Sequence, residues 1–135
     1  MRFSNREQYG LRAMVEFARR YGAGPVSLGD IADSQDISLS YLEQIVVPLR
    51  KAGLLASWRG ASGGYSLAEP PIKVTAGDVI RALEGPLVPV KCVPGNGSAA
   101  CCDREGSCTA RTVWRKVAER LEEALDSTTL ADLIV

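Results

Sequence analysis

Leu11, Met14, Val15 and Ala18 recur at three- and four-residue intervals, a spacing that predicts a helix over residues 6–21 with one apolar face. Gly22, Gly24 and Pro25 then stop it. Ser27 can cap a short second helix carrying Leu28, Ile31 and Ala32, and a third helix opens after Gln35 and Asp36, near Ser38 or Ser40. In this third helix Leu42, Ile45, Val46 and Leu49 form the inward stripe, which leaves Tyr41, Glu43, Gln44, Val47 and Arg50 on or near the opposite face. Pro48 removes the hydrogen bond to the Gln44 carbonyl, so a kink or split is expected there. After the stop at Gly53, residues 54–59 and 65–68 read as two strands around the turn Gly60, Ala61, Ser62, Gly63, Gly64.

Pro70 and Pro71 close the hairpin, and Thr75 with Asp78 has the spacing of a capping box ahead of a helix bearing Val79, Ile80 and Leu83. Residues 85–106 are rich in glycine, proline and cysteine, and a loop that long inside a compact chain is usually functional or disordered. From about residue 109 a long helix places Trp114, Val117, Ala118, Leu121 and Leu125 in register, followed by a capped turn over residues 129–134. The pattern predicts a mainly α chain with one small β-hairpin, in three parts: residues 1–84, a cysteine-bearing loop over 85–108, and a helix and turn over 109–135. Because the first part is complete by residue 84, the apolar stripe of the last helix is read as a dimerisation surface.

Composition narrows the possibilities. With 135 residues, 46% of them hydrophobic, the chain can build one ordinary core. No run approaches the roughly 18 apolar residues of a membrane span, and the charged N-terminus is unlike a secretory signal, so a cytoplasmic protein without a membrane partner is expected. A formal net charge of zero argues weakly against nucleic acid, but its distribution is uneven. Arg2, Arg6, Arg12, Arg19 and Arg20 face only Glu7 and Glu16 at one end, while Glu119, Glu122, Glu123, Asp126 and Asp132 gather at the other. Histidine is absent, which excludes imidazole metal ligands and His-dependent triads. With no nucleotide loop, triad or substrate-pocket motif either, no enzyme and no small-molecule substrate are expected.

Two features carry chemistry. A helix that reads DNA needs short hydrogen-bonding side chains near its N-terminus, and Ser38, Ser40, Tyr41 and Gln44 supply them. Glu43 is the unexpected member, since phosphates repel it although cytosine can donate to it. In the hairpin, Arg59 beside the side-chain-poor turn of Ser62 and Gly63 suits a narrow minor groove. A solvated amphipathic helix or a plain glycine turn would give either signal alone, and their succession favours DNA.

The second feature is the set of four cysteines, Cys92, Cys101, Cys102 and Cys108, all within 17 residues counted from 92 to 108 inclusive. Such a cluster in a cytosolic chain points to metal binding or redox chemistry, with an iron–sulfur cluster, zinc and a thiol–disulfide switch as the options and an electron carrier as a remoter one. Adjacent Cys101 and Cys102 cannot easily serve one metal, because successive side chains of extended backbone face opposite ways.

Three stretches together resemble a known family. They are the run from Ser38 to Gln44 followed by Leu49-Arg50-Lys51-Ala52-Gly53-Leu54, the hairpin from Arg59 to Leu67, and the cysteine loop leading to Trp114. They are similar to the IscR-type regulators, relatives of NsrR, RirA and CymR, and the likeness runs nearly end to end. It implies a winged helix-turn-helix fold with a long C-terminal dimerisation helix, and a homodimer on double-stranded DNA, with the third helix in the major groove and the wing in the flanking minor groove. It also implies an iron–sulfur cluster, commonly 2Fe-2S in the IscR branch, and hence control of cluster-biogenesis genes. The family spacing best fits Cys92, Cys102 and Cys108 as ligands, with Cys101 as a substitute for Cys102 or a nearby redox thiol. The IscR branch commonly has a histidine where this chain has Arg111, which cannot ligate. The fourth ligand is therefore open among Cys101 and the carboxylates Glu7, Glu43, Asp103 and Glu105, with Glu43 read as a ligand or as the residue that links cluster occupancy to DNA choice.

Overall fold

In the computed structural model, residues 3–61, 63–86 and 109–134 are described. Helix α1 spans Asn5–Arg19 and begins one residue earlier than the hydrophobic spacing suggests, because Ser4 caps it. The Ser4 hydroxyl accepts from the Glu7 amide at 3.1 Å while the Glu7 carboxylate accepts from the Ser4 amide at 2.8 Å. This reciprocal box satisfies two helix-end donors and holds Glu7 buried. Helix α2, Leu28–Gln35, is capped by Ser27, and Asp36 ends it in the left-handed conformation at φ 54°. Helix α3, Leu39–Lys51, starts on Ser38, whose hydroxyl accepts from the Tyr41 amide at 3.2 Å.

The expected break at Pro48 does not split α3, which runs on to Lys51. Ile45 and Val46 before the proline and Leu49 after it are all buried, so core packing keeps both halves helical. The Pro48 carbonyl still accepts from the Ala52 amide at 3.0 Å.

Strands β1, Leu55–Trp58, and β2, Gly64–Leu67, pair antiparallel with Leu55 opposite Leu67 and Trp58 opposite Gly64. The expected strands are thus trimmed at residues 54, 59 and 68, and β2 gains Gly64. Val26 pairs with the free edge of β2, exchanging backbone hydrogen bonds of 2.8 and 2.9 Å with Tyr65. The hairpin is therefore tied to the segment that joins α1 to α2.

A 3-10 turn at Pro71–Lys73 leads to α4, Ala76–Glu84, which the Thr75 and Asp78 capping box opens as the sequence suggests. Helix α5 spans Arg111–Asp126 and α6 spans Leu130–Leu133. The core gathers Met14 and Phe17 of α1, Ile31 of α2, Leu42, Ile45 and Leu49 of α3, Val79 of α4 and Leu130 of α6. Leu130 returns the chain end to this core, where its amide donates to the Val74 carbonyl at 2.8 Å. Helix α5 behaves differently, burying only Ala118 along its length. No helix among the described residues is long and apolar enough to cross a membrane.

Candidate nucleic-acid interface

Helices α2 and α3 are joined by the turn Asp36, Ile37, Ser38, and α1 fixes how they sit. The Arg12 guanidinium donates to the Gln35 carbonyl at 2.7 Å and to the Gln35 side chain at 3.2 Å, closing the C-terminal end of α2 with a cation where the helix dipole favours one. The same guanidinium lies 5.2 Å from the ring centre of Tyr9. Tyr9 meets Tyr41 edge to face, with ring centres 6.0 Å apart. The first turn of α3 is thereby seated against α1 and against the end of α2 at once.

Each residue singled out in the sequence has a definite place. Ser38 is exposed and caps α3 with its lone pairs, which leaves its hydroxyl proton available as a donor. Ser40, Glu43 and Gln44 are exposed on the outward side of α3, and none of them makes a side-chain hydrogen bond or ion pair among the described residues. Tyr41 is half-buried, with its ring packed against the core and edge to face with Tyr9. Arg59 is exposed just beyond β1. Gly63 donates its amide to the Gly60 carbonyl at 3.0 Å, and a Cβ there would overlap the Trp58 carbonyl and the Arg59 backbone. Gly60 takes φ 104°, so both glycines are needed to turn the hairpin tightly. Ser62 lies outside the described residues.

Charge is more committed than its count suggests. Arg19 and Arg20 both pair with Glu16, at 2.6 and 3.5 Å, and Arg12 is used on α2. The N-terminal basic end expected from the sequence is therefore partly spent inside the fold. Arg50 and Lys51 at the end of α3, together with Arg59, are exposed cations without an ion pair among the described residues. Elsewhere, two hydrogen bonds join Arg81 of α4 to Asp126 of α5. The Arg81 contact holds the Asp126 carboxyl below the usual carboxylate range, and the Asp126 contact raises the already high pKa of Arg81.

Sequence reasoning did not single out Arg12 and Tyr9 as organisers. Their three-residue spacing was visible, but the contacts to Gln35 and Tyr41 depend on the fold. It also passed over Trp58, which is 56% exposed and donates its ring N–H to the Ser66 hydroxyl at 2.9 Å. With Tyr21 and Pro25, Trp58 lines a groove of about 320 Å³ beside the hairpin.

Cys92, Cys101, Cys102 and Cys108, with Asp103 and Glu105, lie outside the described residues. Among the described residues no three Cys, His, Asp or Glu side chains come together as a metal site would need. Of the described carboxylates considered as fourth ligand, Glu7 is buried and accepts the Ser4 amide within its capping box, whereas Glu43 is exposed.

A two-helix unit whose second helix presents a polar outer face, followed by a tight hairpin, is the build of a winged helix-turn-helix DNA-binding regulator. The chain belongs to the Rrf2 family, described as "Iron-dependent Transcriptional regulator", which matches residues 3–135. It is 45% identical over 133 residues to the HTH-type transcriptional regulator CymR of Bacillus subtilis, covering 98% of this chain and 89% of that protein. It is 39% identical over 135 residues to the HTH-type transcriptional regulator IscR of Aliivibrio salmonicida, covering 100% and 78%. Its fold superposes on the solved structure of B. subtilis CymR, described as the global cysteine regulator, with a TM-score of 0.81, 44% identity and coverage of 98% and 95%. It superposes on T. potens IscR with a TM-score of 0.78, 43% identity and coverage of 98% and 85%. The chain is therefore a DNA-binding transcription regulator and not an enzyme.

Proposed function

We propose that this regulator is a cytoplasmic homodimer that binds operator DNA and that an iron–sulfur cluster on its cysteine loop, of the 2Fe-2S type, sets its affinity, with cluster-biogenesis genes as its targets. The observation that carries the reading is the coexistence of an exposed polar face on α3 with four thiols in 17 residues of the same chain. Ser38, Ser40, Tyr41, Glu43 and Gln44 would meet base edges and phosphates, while Arg59, Ser62 and Gly63 enter the flanking minor groove. Residues 1–84 form the DNA-binding unit, 85–108 the cluster loop and 109–135 the dimerisation segment.

The donor set fits the group. Thiolates are the usual ligands of iron–sulfur clusters, and the absence of histidine leaves sulfur and carboxylate as the available donors. Cys92, Cys102 and Cys108 would hold it, with Cys101 in reserve. When bound, such a cluster supplies a centre whose charge and integrity respond to redox state and to iron supply. Glu43 is the residue we assign to the coupling, as fourth ligand or as the side chain whose release changes DNA choice. Its exposed position on α3 permits either role, and coupling requires that the two DNA-binding states differ in their affinity for the cluster.

Helix α5 supports the dimer. Val113 and Trp114 are exposed large apolar residues, and Val117 and Leu121 line a groove of about 360 Å³ along the helix. A second apolar depression of about 420 Å³, lined by Phe3, Leu11, Ile80 and Leu125, lies between α1, α4 and α5. Both are surfaces that a partner's α5 would cover.

Anaerobic purification followed by an absorption spectrum and iron and sulfide assays tests the cluster, and individual Cys→Ser variants test its ligands. Visible absorption with stoichiometric iron and sulfide, lost in the Cys92, Cys102 and Cys108 variants and kept in Cys101→Ser, is expected. A second reading, thiol-based sensing without metal, is favoured by the adjacent thiols Cys101 and Cys102 and by the 44% identity to the CymR structure described as that of a global cysteine regulator. Metal-free protein whose operator affinity changes when its thiols are oxidised would establish that reading instead.

A further inference from the structure

Val47 is a large apolar residue of α3 that stays exposed, at 39%. Successive residues of an α-helix are about 100° apart, so Leu39, Ser40, Glu43, Gln44, Val47 and Arg50 share one outward arc, with Glu43 and Val47 at its middle. Core packing does not account for the valine there, because the helix buries Leu42, Ile45, Val46 and Leu49 on its other side. Helix propensity does not account for it either, since a β-branched side chain loses rotamer freedom in a helix and an exposed position returns nothing for it. Partnering by a second copy of the chain is disfavoured by the surrounding serine, glutamate, glutamine and arginine, since the interior of a protein interface excludes charge.

The major groove offers one apolar group on its base edges, the C5-methyl of thymine. Val47 is three residues from Gln44 and four from Glu43, so all three form neighbouring positions on one helix surface. We propose that Val47 is a specificity-determining residue that packs its methyl groups on the C5-methyl of a thymine in each half-site. The assignment rests on the DNA-reading role of α3 and adds an apolar element to a set of readers that otherwise form hydrogen bonds. It also gives Glu43 and Gln44 a neighbour that excludes water from their side of the groove, which strengthens whatever polar contacts they make.

The test isolates the methyl group. A duplex is selected by the wild-type protein from a random pool, each thymine is replaced in turn by deoxyuridine, and the affinities of wild type and Val47→Ala are compared. Alanine favours a helix over valine, so a loss of binding by the variant does not come from unfolding of α3. Wild type should lose about fourfold in affinity at one thymine of each half-site, the scale of one buried methyl-sized contact. Val47→Ala should bind the unmodified duplex more weakly and be indifferent to the same replacement. Wild type insensitive to every replacement, or Val47→Ala showing the wild-type pattern, overturns the assignment and leaves the DNA-reading role intact. Failure to select any duplex overturns the DNA-reading role and the assignment with it.

Discussion

Arg81 and Asp126 meet through two nitrogens of one and both oxygens of the other, at 2.8 and 2.7 Å, and so fasten the end of α5 to α4. The contact lies over Gly77, where a Cβ would overlap the Asp126 carboxylate. Nearby, the Ala76 amide donates to the Thr128 carbonyl at 2.9 Å, and Thr75 and Thr129 form a bridge. These links set the angle at which α5 leaves the core.

The pair makes stability depend on pH with a defined sign. Asp126 has a carboxyl pKa lowered from 3.8 on folding, chiefly by its hydrogen bonds to Arg81, so the folded state favours the charged form. Its contribution is complete above the unfolded pKa and is lost as pH falls through the lowered folded value. Arg81 stays protonated throughout that range and adds no slope. Because the two side chains are 30% and 43% exposed, the contribution is screened to about 1 kcal/mol or less. Urea denaturation of wild type and Asp126→Asn should differ at pH 7 and converge once the pH falls below the lowered folded value of Asp126. A constant difference across that range would mean that packing, not charge, makes the contact matter.

Gly64 is the point at which the hairpin meets Val26, and a Cβ there would overlap the Val26 carbonyl. A rigid backbone neighbour cannot swing aside as a side chain can. Gly64→Ala should therefore destabilise the fold by about 1–3 kcal/mol, and hydrogen exchange at the Val26 and Tyr65 amides should accelerate. Unchanged protection at those amides would show that the hairpin shifts without losing its tether.

Gln44 is exposed on the outer arc of α3 and has no partner among the described residues. Replacing it by Ala should cost about 1–3 kcal/mol on a selected operator and little on a random duplex, with relaxed preference at one base pair. Competition binding at fixed salt measures both. Equal losses on the two duplexes would make Gln44 a backbone contact.

Helices and turns were largely legible in the sequence because their signals are local. Ser27, Thr75 and Thr129 cap the helices expected of them, and the inward stripes of α3 and α4 are the buried ones. The departures have specific physical causes. Pro48 lacks the amide hydrogen that backbone chemistry calls for, yet the buried residues on either side of it keep the helix continuous to Lys51. The Ser4 and Glu7 box is a local pattern of the same kind, and it sets the start of α1 one residue before the hydrophobic spacing does. Tyr41 was legible as a residue near the outer face, but its edge-to-face contact with Tyr9 requires α1 and α3 to be adjacent, which no local spacing encodes. Likewise, counting arginines could not reveal that Arg12, Arg19 and Arg20 are engaged within the fold.

The apolar stripe of α5 carries the last prediction. Trp114 is 39% exposed and Val113 is 56% exposed on a helix that buries only Ala118, although its far end is fastened to α4. An isolated helix in water gains little from its own propensity, so a well-formed α5 needs a second surface along this stripe. On the proposed reading that surface is α5 of another copy, and a charge placed in the contact would have to be buried without a partner. Trp114→Glu should weaken self-association by on the order of a hundredfold or more. The core lies away from this position and should keep its thermal transition, provided the comparison is made below the dissociation range of wild type. Sedimentation velocity across a concentration series reads the association directly. The same variant should also bind a single half-site as wild type does while losing preference for the full palindrome, since two-fold operators are read by two-fold proteins. Wild type that sediments as a monomer at every concentration, or Trp114→Glu that remains a dimer, would remove α5 from the assembly.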